Sequence, residues 1–129
     1  IDIRNISAAL SFVNSCFRNE KQEKFKVICI DSGFHIKSVA DISAGGARFT
    51  PVDFRELTKA VLNSGTDIVI LAHNHPDSPN TPSQEDVTLT REVMRYMRCL
   101  GVTVLDHYIT GKNGTISMRN CGLIHDMEC

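Results

Sequence analysis

The stretch DIVILAHNHPDSPNTPSQED, residues 67–86, decides how this chain folds. After Asp67, the next five residues are apolar and partly β-branched, which predicts a short buried strand over residues 67–72. His73 and His75 follow at the end of that strand, and their side chains point the same way because strand side chains alternate with period two. Pro76 then ends the strand, since proline lacks the N–H that the ladder requires. Two imidazoles side by side at a strand end can bind a metal ion.

An aspartate in the same stretch supplies a third ligand. Catalytic zinc sites commonly use three protein ligands from His, Asp, Glu or Cys and leave one position open. Ser83 is a natural N-cap, so Asp86 falls in the first turn of the next helix, where its carboxylate can face the strand end. The connecting loop contains prolines that reduce the entropy lost when it is ordered. The sequence therefore predicts that His73, His75 and Asp86 bind a metal ion.

Each of these features also has a structural interpretation. Ser83 and Asp86 have the spacing of a capping box, in which the acid satisfies the backbone of a helix N-terminus. A single histidine at a strand end is commonly a polar surface residue. The joint occurrence of two histidines, a forced turn and an acid at a helix start favours the metal site, while both alternatives stay open.

Composition limits the class of protein. The 129 residues predict a single domain over residues 1–129, with the 42% apolar and 22% charged content of an ordinary globular protein. The net charge of −1 gives no overall electrostatic support for nucleic-acid binding, although a local basic face stays open. No apolar run approaches the roughly 20 residues that span a membrane, so we expect no membrane association and a cytoplasmic location.

The cysteine count and the identity of the first residue each lead to a further expectation, one about the thiols and one about processing of the chain. There are five cysteines, an odd number, without a C-x-x-C pair, which predicts reduced thiols and gives no support to a cysteine-based zinc site. The chain does not begin with methionine, so we expect a processed or excised segment.

Hydrophobic periodicity predicts an α/β fold with a mixed β-sheet flanked by helices. The predicted helices cover about residues 5–19, 53–63 and 83–100. The predicted strands cover about residues 25–30, 34–42, 47–50, 67–72, 102–110 and 115–118. The first two strands form a hairpin, and strands and helices alternate in the second half of the chain.

The motif H-x-H-x7-S-x2-D, formed by His73, His75, Ser83 and Asp86, resembles the JAMM (MPN+) metalloprotease motif. The longer segments HNHP, TPSQEDVTLT, GVTVLDHYITG and PVDFREL resemble the RadC-like branch of that superfamily. The resemblance implies a JAB/MPN-like fold of cytidine-deaminase-like architecture, with residues 20–124 as the metal-binding core. Asp77-Ser78 replaces the Ser-Gly usual after HNHP, which changes the freedom of the loop and adds an anion beside the metal.

The resemblance also implies a mechanism. It implies a zinc-dependent hydrolase in which Zn²⁺ on the three ligands activates water for attack on a peptide or isopeptide bond. The general base of the family is a glutamate at the edge of the first strand, which corresponds to Glu23 in EKFKVICID, with Glu20 as the competing position. The Ser83 hydroxyl would support the developing oxyanion. The oligomeric state stays undefined at this level.

A DNA-repair or recombination accessory domain that acts by binding DNA or a repair partner is the alternative function, because RadC-like proteins carry a DNA-repair name. In that hypothesis Arg91, Arg95 and Arg98, spaced i, i+4, i+7, contact phosphates, whereas the same spacing is also typical of a solvated helix face. His107 is interpreted as a hydrogen-bonded structural residue, with orientation of a metal ligand as the alternative. A zinc nucleobase deaminase is excluded, because H-x-E and P-C-x-x-C are absent.

Overall fold

The computed structural model of the protein describes residues 4–44 and 51–125. Within these ranges it contains strands β1 (Phe25–Ile30), β2 (Ile36–Asp41), β3 (Ile68–Asn74), β4 (Thr103–Gly111) and β5 (Gly114–Ser117). They form one five-stranded sheet in the order β2-β1-β3-β4-β5. β3 and β4 are parallel and the other neighbouring pairs are antiparallel. The helices are α1 (Ile6–Cys16), α2 (Phe54–Ser64) and α3 (Gln84–Cys99).

Helices cover both faces of this sheet. On one face, α1 packs against Ile28, Ile30, Ile70, Ala72 and Tyr108. On the other face, α2 and α3 pack against Val27, Cys29, Val69 and Leu71. Each fully buried aliphatic side chain in these layers contributes about 1.5–3 kcal/mol. The predicted mixed α/β fold is confirmed, and alternation along β3 places His73 in the row of Val69 and Leu71, on the side of α3.

The ends of α2 and α3 follow from their cap residues. The Asp53 carboxylate accepts hydrogen bonds from the first-turn backbone of α2, and Gly65 ends that helix in the left-handed conformation at φ 68°. Ser83 caps α3, and Gly101 follows its last turn at φ 74°. Both helices lie close to their predicted ranges of residues 53–63 and 83–100.

The first helix is shorter than predicted. Asn5 caps it, but α1 ends at Cys16 and not near residue 19. The Phe17 N–H donates to the carbonyl of Asn14, which tightens the last turn, and Asn19 lies at φ 65°, which a helix cannot accommodate.

The first hairpin also differs in detail. Phe34, predicted to begin the second strand, lies in the turn at φ 65°, and β2 begins at Ile36. The Asp31 carboxylate accepts from the backbone N–H groups of Gly33 and His35, both at 2.9 Å, and so extends the turn. The strand predicted at residues 47–50 lies outside the described residues.

Two expectations from composition can be compared with the described ranges. The four cysteines there, Cys16, Cys29, Cys99 and Cys121, are free thiols. Among the described helices, none combines the length and the apolar character that crossing a bilayer would need.

Candidate metal centre

The candidate metal centre lies where the carboxyl end of β3 meets the first turn of α3 and the start of β1. His73 pairs with Phe25 across the β1–β3 ladder, and the two rings stack with centroids 5.2 Å apart and planes 7° from parallel. His73 is 1% exposed. Stacking and burial therefore fix the plane of this imidazole.

The three predicted ligands converge on one point. The Nε2 atoms of His73 and His75 lie 3.1 Å apart. Asp86 places Oδ1 3.4 Å from the His73 Nε2 and Oδ2 3.6 Å from the His75 Nε2. A tetrahedral zinc ion with bonds of about 2.0–2.2 Å needs ligand atoms about 3.3–3.5 Å apart. The spacing of these side chains fits such an ion.

Asp86 combines the two roles that the sequence left as alternatives. Its Oδ2 accepts from the Ser83 backbone N–H at 2.9 Å, and its own N–H donates to the Ser83 Oγ at 3.0 Å. This capping box holds the carboxylate in place while both of its oxygens face the imidazoles. Ser83 lies at the N-cap and contributes its Oγ as an acceptor in this arrangement.

Glu23 reaches the same centre from the segment before β1. A carboxylate oxygen of Glu23 and one ring nitrogen each of His73 and His75 lie within 4.8 Å of one another, and these three residues could hold a metal ion. The Glu23 side chain is exposed. Glu20, the competing position, instead lines a small cavity beside His75 and Thr110.

Asn74 fixes the position of the Glu23 segment. Its Oδ1 accepts from the Lys24 N–H at 2.6 Å, and its Nδ2 donates to the carbonyl of Gln22 at 3.0 Å. These bonds hold the backbone on both sides of Glu23. The sequence analysis gave Asn74 no role; its place in a buried strand end was the available signal, because a buried amide must find partners.

A buried chain of hydrogen bonds connects His73 on β3 to β4 and α3. His73 Nδ1 lies 2.8 Å from His107 Nε2, and His107 Nδ1 lies 2.6 Å from the Thr90 Oγ1. The Thr90 hydroxyl donates to the Asp86 carbonyl at 2.7 Å. Thr90 has one hydroxyl hydrogen, and its bond to the Asp86 carbonyl uses it. The Thr90 Oγ1 must therefore accept from the His107 Nδ1–H. The His107 Nε2 then carries a lone pair and accepts from the His73 Nδ1–H. The His73 Nε2 lone pair is thereby left for a metal.

Burial keeps these imidazoles neutral. Desolvation lowers the pKa of His73 to about 4, a shift that the neighbouring His75 reinforces and the Asp86 carboxylate opposes. Desolvation also lowers the pKa of His107 well below its ordinary value. The neutral form, which is the one that binds metals, therefore prevails for both residues near pH 7.

The loop after β3 fixes the second histidine. The His75 Nδ1 donates to the carbonyl of Pro79 at 2.9 Å, which directs Nε2 toward the centre. Gly111 allows the loop to approach the β4–β5 hairpin, because a Cβ there would lie 2.4 Å from the backbone nitrogen of Asn80. Asp77 and Ser78, which replace the usual Ser-Gly, are exposed in this loop.

A family model described as a RadC-like JAB domain matches residues 3–123. The chain belongs to that family. It is similar to the UPF0758 protein STH371 of Symbiobacterium thermophilum, with 34% identity over 96% of this chain and 53% of the relative. The UPF0758 protein CLL_A0562 of Clostridium botulinum is 36% identical over 81% of this chain and 45% of the relative. The RadC-like JAB chain thus spans about half the length of these curated relatives.

Similarity of the same degree extends to an archaeal relative. The UPF0758 protein Mbar_A2303 of Methanosarcina barkeri is 34% identical over 83% of the chain and 47% of the relative. The proposed ligands and Glu23 all lie within the matched residues of the RadC-like JAB model.

We expect the metal-free RadC-like JAB domain to lose stability as the pH falls from about 6.5 to about 4. In that window the unfolded His73 binds a proton and the folded one does not, so its contribution is fully present above about 6.5. Between about pH 7.5 and pH 4.5 the His73 contribution to this loss is roughly 2–3 kcal/mol. His107, whose pKa is also lowered by burial, adds a loss of the same sign. Urea unfolding of chelator-treated protein measures the total, and His73→Gln should reduce the slope without abolishing it. Equal unfolding free energies at the two pH values would contradict the assignment.

Replacing Thr90 with valine should weaken metal binding about 10–100-fold, because the His107–Thr90 bond no longer orients His73. The metal-free protein should lose about 1–3 kcal/mol, since the buried His107 N–H is left without its acceptor. Chelator competition and urea unfolding measure the two effects. Thr90→Ser keeps the hydroxyl and is the matched control. If Thr90→Val bound metal as tightly as the wild type, the hydrogen bonds through His107 and Thr90 would not orient His73.

Proposed function

We propose that this RadC-like JAB domain is a metal-dependent hydrolase that cleaves an amide bond in a peptide or isopeptide substrate. The observation that carries the proposal is the convergence of Glu23 with two imidazoles and the Asp86 carboxylate at one strand end. Membership of the JAB superfamily, which includes hydrolases, supports the same reaction class.

The ligand set favours zinc. Two imidazole nitrogens and one carboxylate at near-tetrahedral spacing suit Zn²⁺, whose fourth position a solvent molecule would take. When bound, the ion would supply Lewis-acid activation of water and of a carbonyl group.

Glu23 is the proposed general base. Its carboxylate is exposed to solvent and lies beside the ligand nitrogens, so it can accept a proton from an attacking water. The same group, once protonated, can return the proton to the leaving amine. The backbone bonds of Asn74 keep its chain segment in place during both transfers.

Ser83 is the proposed oxyanion donor. Its Oγ uses a lone pair to accept the Asp86 N–H, and the hydroxyl hydrogen is not part of that bond. The hydroxyl can therefore donate to negative charge that develops on a carbonyl oxygen beside Asp86.

Peptide cleavage tests this function. Zinc-loaded protein should generate new amino groups from a mixed peptide library or from a lysine-linked isopeptide, as detected by mass spectrometry. Chelator treatment should abolish the cleavage and added zinc should restore it. Stoichiometrically loaded protein that cleaves neither class of substrate would contradict the proposal.

The DNA-binding alternative stays a prediction. Arg95 and Arg98 are exposed on α3, whereas Arg91 is half-buried, so the three do not present one open basic face. A salt-dependent DNA mobility shift that requires Arg91 and Arg95 would support it.

A further inference from the structure

A cavity of about 300 Å³ lies along α3 next to the candidate metal centre. Pro51 and Leu89 form apolar parts of its wall, and Glu85, Asp86 and Glu92 supply carboxylates. Glu85, Leu89 and Glu92 are spaced i, i+4, i+7, so they form one stripe along the helix. The cavity therefore combines an apolar wall with acids at two levels of the same helix face.

Two of these carboxylates, those of Glu85 and Glu92, differ from Asp86 in their surroundings. Across residues 4–44 and 51–125, no ion pair is formed by Glu85 or Glu92, and both side chains are exposed. Asp86, by contrast, is occupied by the imidazoles and by its own capping box. Among the described residues that line the cavity, Glu85 and Glu92 thus supply the charge that is left for a ligand.

The cavity adjoins the proposed reaction centre at Asp86. Asp86 belongs both to its wall and to the proposed ligand set. A second cavity, lined by Glu23, Phe25 and Ser43, shares Pro51 with the first. The two cavities therefore meet at Pro51, and their walls include Asp86 in the first and Glu23 in the second.

We propose that the α3 cavity binds a lysine or arginine side chain of the substrate, at a residue close to the bond that is cut. This inference rests on the proposed hydrolase function. The aliphatic stem would lie on Leu89 and Pro51 while the cationic head meets Glu85 and Glu92, as expected for an amphipathic cation. An acidic side chain would be repelled, and a neutral one would gain the apolar contact alone.

Binding of a matched peptide set tests the pocket without requiring turnover. The probes are acetylated, amidated hexapeptides that differ at one position, which carries lysine, norleucine or glutamate. Zinc-loaded Glu23→Gln protein, labelled with ¹⁵N, is titrated with each probe and its amide shifts are followed. The lysine peptide should bind about tenfold more tightly than the norleucine peptide, as expected for two exposed ion pairs, with shifts centred on Leu89 and Glu92.

Charge-neutral variants assign the preference to the cavity. Glu85→Gln and Glu92→Gln, separately and combined, should reduce or abolish the preference for lysine over norleucine. Asp67→Asn removes one negative charge at the opposite end of β3 and should leave it unchanged. Equal affinities for the two peptides, a preference that survives the combined variant, or no binding at about 2 mM peptide would each overturn the pocket.

The same peptides separate this inference from the proposed function. Active protein that cleaves lysine and norleucine peptides equally well would refute the pocket and leave the hydrolase intact. Lysine-selective binding that depends on Glu85 and Glu92, in protein without any hydrolysis, would support the pocket and refute the hydrolase.

Discussion

Glu23→Gln should lower amide hydrolysis about 10²–10⁴-fold, which is the contribution of a positioned general base. Glutamine keeps the size of the side chain but cannot accept the proton of an attacking water. The Asn74 bonds go to the backbone on either side of Glu23, so the fold of this segment should not change. Cleavage rates of zinc-loaded wild-type and variant protein measure the effect.

The zinc content of Glu23→Gln distinguishes a general base from a metal ligand as the cause of lost activity. If Glu23 acts as a base, Glu23→Gln should bind zinc as tightly as the wild type. A variant that loses both metal and activity would instead make Glu23 a ligand, a role that its proximity to the imidazoles also allows. Glu20→Gln is the matched control and should retain activity, whereas an active Glu23→Gln protein would refute the assignment.

Asp86→Asn should lower zinc affinity more than about 100-fold, a larger effect than the loss of a residue that only orients a ligand. The amide keeps an oxygen that can accept the Ser83 N–H, so the helix cap survives while the anionic ligand is lost. Chelator competition measures the affinity, and urea unfolding of metal-free protein should show a change of less than about 1 kcal/mol.

Ser83→Ala provides the opposite case. It removes the Oγ that caps α3 and should cost about 0.5–2 kcal/mol of unfolding free energy. Its zinc affinity should stay within about tenfold of the wild type, because the Asp86 carboxylate is intact. If Asp86→Asn bound zinc normally while Ser83→Ala did not, the carboxylate would be a cap alone and the proposed ligand set would be wrong.

The sequence was most informative where the site is local. Strand alternation placed His73 and His75 together, and helix capping placed Asp86 in the first turn of α3, so one stretch of residues 67–86 was sufficient. The predicted range of α2 was also close to the observed one, and that helix has a capping aspartate, Asp53, at its start and a left-handed glycine, Gly65, at its end.

The rest depends on contacts between distant segments. Glu23 lies near the centre because β1 pairs with β3 in a register that joins Phe25 to His73, and no local pattern determines that register. It could be named only through the family resemblance. The hydrogen bonds from His73 through His107 to Thr90 likewise join β3, β4 and α3. The bonded residues are 34 and 17 positions apart in the sequence.

Asn74 links two functions that could otherwise vary independently. Asn74 lies between His73 and His75 in the sequence. Its side chain also hydrogen-bonds to the backbone on either side of Glu23. Fraying at this point would therefore displace the proposed metal-binding nitrogens and the proposed proton acceptor in a single event. States in which a metal ion is bound but Glu23 is displaced should therefore be rare. Disruption of residues 73–75 should remove metal binding and proton transfer together.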